Sequence, residues 1–113
     1  MTADSTKQSA VVDTTTDRQG RRIASLKTTD GHIFRIMEDD LRDVLTWLGA
    51  DCWFEVHPTR AKPEVFVVNG KGGYHLARLL LEPEVGKRVT FLDGDAFNIV
   101  RDNLTVVGLQ KVA

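Results

Sequence analysis

A chain of 113 residues can bury one hydrophobic core without disulfide or metal staples, and 42% hydrophobic with 27% charged residues is ordinary for a globular protein. With 15 basic against 16 acidic residues the net charge is −1, which excludes polycationic binding of nucleic acid and leaves only a locally basic face as a route to phosphates. Cys52 stands alone, so no intrachain disulfide and no cysteine-based zinc site can form; no run approaches the ~20 apolar residues of a membrane span and no apolar signal core opens the chain, a pattern that fits the reducing cytoplasm.

Residues 1–20 hold one apolar spot, Ala10-Val11-Val12, among Ser, Thr, Asp and Gln. So little burial does not offset ordering entropy, so this stretch is expected to be a disordered tail preceding a single domain over 21–113. Two apolar runs, 23–27 and 32–36, flank Thr28-Thr29-Asp30-Gly31, and Asp-Gly is a strong hairpin signal. A helix is expected to open at Glu38-Asp39-Asp40. Leu41, Val44, Leu45 and Leu48 then fall at i, i+3, i+4 and i+7, the early acids suit the helix dipole, and Gly49 suits the position past its end.

Residues 53–56 and 64–68 read as strands, joined by a segment that Pro58 and Pro63 keep out of a ladder. Asn69-Gly70-Lys71-Gly72-Gly73 reads as a turn, residues 74–81 as a short helix stopped near Pro83, and residues 88–92 as a strand. A tight Asp93-Gly94-Asp95 turn, a helix over 96–103 and a closing run over 104–107 follow. The class this implies is α+β, with short antiparallel strands in hairpins and two to three short helices.

Isolated site motifs are weak. Asp93-Gly94-Asp95 with Asn98 fails as a calcium loop, because Phe97 occupies a ligand position and the required glycine is absent. The 69–73 turn lacks the spacing of a phosphate-binding loop. His32, His57 and His75 have no metal-ligand spacing, Trp47 and Trp53 read as core or core-edge residues, with a stacking role for an exposed Trp53 as the lesser alternative, and Cys52, with no basic neighbour in sequence, reads as structural.

Taken together, Arg78-Leu79-Leu80, Val89-Thr90-Phe91-Leu92-Asp93-Gly94-Asp95 and Asn103-Leu104-Thr105-Val106-Val107 form a pattern over the last third of the chain. It resembles the small HNH endonucleases of phages and mobile elements, in which the corresponding segments run R-L-I, V-D-H-I-N-G-D and N-L-R-V-V. The resemblance extends loosely over residues 35–107 and implies a C-terminal ββα-like unit. It also implies lost chemistry. Thr90 stands at the metal-binding Asp, Phe91 at the catalytic His and Ile99 at the bracing Asn, while Ala77 replaces a further His. Thr90 is a poor ligand for a hard cation and Phe91 cannot accept a proton. Asn103 could contribute one oxygen, and His75, which lies before the family's motif, is a weak substitute base.

The expectation is therefore a non-catalytic, HNH-like binding protein of phage or mobile-element type, without cofactor or metal. One branch binds nucleic acid through Lys71, Arg78, Lys87, Arg88 and Arg101, from a second half that also carries Arg60 and Lys62. The alternative is a protein-binding inhibitor or decoy that presents Glu38, Asp39, Asp40 and Asp43 as a mimic of nucleic-acid charge to a host nuclease or defence complex. An active enzyme is the third class, and exposed strand edges leave room for a homodimer.

Overall fold

The computed structural model describes residues 10–60 and 62–108, and over these the protein is α+β, with nine short strands in three small sheets and two helices. The first strand lies where disorder was expected: β1 (Ala10–Thr16) pairs antiparallel with β2 (Arg22–Lys27). Val11, Val12, Thr14, Thr15 and Thr16 are all β-branched, and such side chains favour extended backbone even where few are apolar. The connecting turn is held by Asp17, whose Oδ1 accepts the N–H groups of Gln19 and Arg21, both at 2.9 Å. The disordered tail is thus corrected for residues 10–20, while residues 1–9 lie outside the described residues.

β2 continues through the expected Asp-Gly hairpin into β3 (Ile33–Met37). Gly31 takes φ +93°, and Thr28 Oγ1 accepts the N–H of His32 at 2.9 Å. The chain passes directly into α1 (Glu38–Leu48), which turns Leu41 and Val44 into the core and ends at Gly49 with φ +101°. β4 (Trp53–His57), β5 (Glu64–Asn69) and β6 (Gly72–His75) make an antiparallel meander. β6 replaces the first part of the helix expected over 74–81, leaving α2 with Leu76–Leu81 only. The Asn69 side chain makes the hairpin turn, its Oδ1 accepting the N–H groups of Lys71 and Gly72 at 2.8 and 3.1 Å.

β7 (Lys87–Phe91) pairs antiparallel with β9 (Leu104–Gly108), placing Phe91 opposite Leu104 and Val89 opposite Val106. The helix expected over 96–103 does not form. Its place is taken by β8 (Asn98–Ile99), which adds in parallel to β3, and by one 3-10 turn at Arg101–Asn103. Among the described residues no α-helix follows β9, so the helix that a C-terminal ββα-like unit calls for is not among them. One core cluster joins all three sheets, with Phe34, Phe54, Ile36, Leu76 and Ile99 almost wholly buried. No helix of the described residues is long and apolar enough to cross a membrane.

Candidate functional site

The connection after β7 is built as a turn and not as a ligand set. The Asp93 carboxylate accepts from the side-chain amides of Asn98 and Asn103, each at 2.9 Å, and from the N–H of Asp95 at 2.8 Å. Asn103 Oδ1 in return accepts the Asp93 N–H at 3.0 Å, and its amide also reaches the Asn98 carbonyl at 2.9 Å. The Asn98 amide foremost, then the Asp95 N–H and the Asn103 amide, hold the Asp93 carboxyl below its ordinary value of 3.8. Gly94 sits at φ +79°, which a side chain would strain. Asn103, the one oxygen ligand the sequence offered here, is engaged on both ends of its amide. Phe91 is buried in the core cluster and Ile99 is 1% exposed, so both act as packing residues.

Beside this turn lies a groove of about 500 Å³, lined by Thr59, Arg60, Lys62, Glu64, His75, Arg78, residues 88–91 and Gly94. Four cations border it: Arg60, Lys62, Arg78 and Arg88. Lys62 bends over its edge, where its ammonium donates to the Gly94 carbonyl. Arg78 donates to the Lys87 carbonyl at 3.1 Å, tying α2 to the start of β7. Arg60 and Arg88 are exposed and have no side-chain hydrogen bond or ion pair among the described residues.

The groove's one carboxylate, Glu64, is taken up by a hydrogen bond to His75 Nε2. The other ring nitrogen, Nδ1, accepts the Arg78 N–H at 3.2 Å and so caps α2. An acceptor at Nδ1 places the ring hydrogen on Nε2, facing Glu64. With side-chain exposures of 17% for His75 and 12% for Glu64, the pair forms a wall of the groove. His75 therefore lies near the residues of the HNH-like pattern, but both its nitrogens are engaged in holding β5, β6 and α2 together.

Of the five basic residues singled out in the sequence, the groove brings together two, Arg78 and Arg88. Lys71 lies instead beside a second cavity with Trp47, Asp51 and Tyr74. Lys87 is exposed and sits 3.4 Å from Glu84. Arg101 turns away to Asp40, with Nε–Oδ2 at 3.0 Å and Nη2–Oδ1 at 3.2 Å. Arg60 and Lys62 were visible as basic residues, but only the fold of the proline-flanked connection carries them to the groove.

The acidic helix is likewise not a free anionic face. Asp40 is buried against Arg101, Glu38 meets Arg22 at 3.0 Å, and Asp39 meets Arg42 at 3.1 Å. Asp43 is exposed. Cys52 is buried, and burial, with the neighbouring Asp51 charge, pushes its thiol upward, which is the profile of an inert packing residue. Among the described residues no group of three His, Cys, Asp or Glu side chains is placed to hold a metal ion. No protein-family model, no curated protein and no solved structure matches the chain.

Proposed function

We propose that the protein is a non-catalytic binding module of HNH-like type, and that it binds the phosphate backbone of nucleic acid in the groove of Arg60, Lys62, Arg78 and Arg88. The observation that carries this reading is the convergence of four cations on one concave surface in a chain of net charge −1. Clustered guanidinium and ammonium groups around a concave strip suit phosphate oxygens, and neutralising phosphates releases counterions. Glu64 offsets this little, because its carboxylate is engaged by His75.

Binding is favoured over catalysis by the residue types at the positions that would do chemistry. Thr90 and Phe91 occupy the ligand and base positions of the resembling nucleases, and His75 has both ring nitrogens occupied. A protein-binding decoy presenting Glu38, Asp39, Asp40 and Asp43 has less support, since three of these four acids are paired with arginines. The test is titration of nuclease-grade DNA at ~50 mM salt. Binding that weakens steeply with added salt supports the reading, and failure to bind at that salt removes it.

A further inference from the structure

The outer face of the β4–β5–β6 sheet carries a row of rings that begins in the groove. Strand alternation sends Phe54, Val65 and Val67 into the core. It leaves Trp53, Glu55 and His57 of β4, Glu64 and Phe66 of β5, and His75 of β6 on the opposite face. His75, in the groove wall, meets Phe66 edge-on with ring centroids 5.2 Å apart at 82°. Phe66 meets His57 in the same manner, at 5.1 Å and 71°. Two carboxylates fix the ends of the row: Glu64 holds His75, while Glu55 accepts from Trp53 Nε1 at 2.5 Å and lies 2.9 Å from His57 Nε2. Trp53, Phe66, His57 and His75 are all partly exposed, the His57 side chain at 45%.

We propose that this face is a stacking platform for the bases of a single-stranded nucleic acid whose phosphates run in the cationic groove. The inference rests on the phosphate-binding reading of that groove and names its ligand class. Continuity selects this occupant, because the rings start at His75, where the cations end, and a strand lying in the groove brings its bases onto the sheet. A duplex keeps its base faces stacked inside and has nothing to offer such a row, whereas an open strand exposes a ring at every nucleotide. Glu55 and Glu64 face the strand already engaged by their ring partners, so they orient the platform.

The test compares three probes of equal length, roughly 10 nucleotides, by fluorescence anisotropy at low salt: an oligodeoxythymidine strand, the same strand with abasic sugars, and a blunt duplex. The expected result is that the strand binds at least about fivefold more tightly than the abasic probe, and that Phe66→Leu removes most of this difference without changing abasic binding. In a Trp47→Phe protein, the strand should quench Trp53 fluorescence and the abasic probe should not, a readout that needs no change to the platform. Equal binding of all three probes, with Trp53 unresponsive, overturns the platform and leaves the phosphate groove standing. No binding of any probe overturns both.

Discussion

Arg101 reaches back 61 residues to clasp the buried carboxylate of Asp40 through two hydrogen bonds, at 3.0 and 3.2 Å. The two belong to opposite expectations, one to a basic nucleic-acid face and the other to an acidic protein-binding helix. The contact makes them partners in folding instead. Asp40 sits in the first turn of α1, where the helix dipole favours a carboxylate, and Arg101 anchors the 3-10 turn to that helix. Its neighbours do likewise, Asp102 binding Arg21 at 2.5 Å and Asn103 binding Asp93, so each side chain of the turn ties a different segment.

Replacing Arg101 with Ala should therefore lower stability and leave nucleic-acid binding intact. A carboxylate stripped of its partner in a buried site costs ~3–5 kcal/mol, and the loss here should be about 1–2 kcal/mol because the Arg101 side chain is 43% exposed. Urea unfolding checks the stability and anisotropy checks the binding. A loss of affinity with unchanged stability would return Arg101 to the binding face.

Lys71→Ala should leave affinity unchanged, since Lys71 lies by the Trp47 and Tyr74 cavity and not in the groove. Titration of the variant with the same oligonucleotide checks this, and weakened binding would mean that the contact surface extends to the second cavity.

Asp93 should make the turn after β7 sensitive to acid. Its folded pKa lies below the unfolded value, so the stabilisation is fully present above the ordinary value of 3.8 and is lost as pH falls through the depressed folded value. Asp17, held by the Arg21 N–H, and Asp102, held by the Arg21 guanidinium, act in the same direction. Thermal unfolding between pH 2 and 6 should show a midpoint that drops below about pH 4, with a shallower drop in Asp93→Asn. An identical acid limb in the variant would remove Asp93 from this account.

Cys52 should react slowly with a thiol reagent at neutral pH in the native protein and rapidly in urea, because burial both hides the sulfur and disfavours the thiolate. Fast native labelling would contradict the packing around β4.

Much of this architecture was legible where pattern and turn chemistry agree. The Asp30-Gly31 hairpin, the Leu41/Val44 stripe of α1 and the alternating strands β4 and β5 all follow from residue type and local spacing. β1 was not, because its Thr-rich sequence is polar and its ordering comes from pairing with β2. β6 was hidden by Gly72 and Gly73, residues poor in strand propensity that the Asn69 turn nevertheless carries into the sheet. β8 depends on two residues of parallel pairing with β3, a long-range contact with no local signature. At the site, Arg78 and Arg88 were identifiable from charge alone. Arg60 and Lys62 were not, since their place beside Arg88 of β7 is a long-range relationship with no local signature.

The most direct test of the phosphate groove is the salt dependence of oligonucleotide binding in the wild type and in an Arg60→Ala, Arg88→Ala double variant, chosen because neither side chain has a partner among the described residues that its loss would strand. Four phosphate contacts on a single strand correspond to a slope of log K against log salt of about −3, and removing two should halve it to about −1.5. That halving, with the unfolding midpoint unchanged, is the predicted result. A slope and affinity identical to the wild type would contradict the groove as the nucleic-acid site.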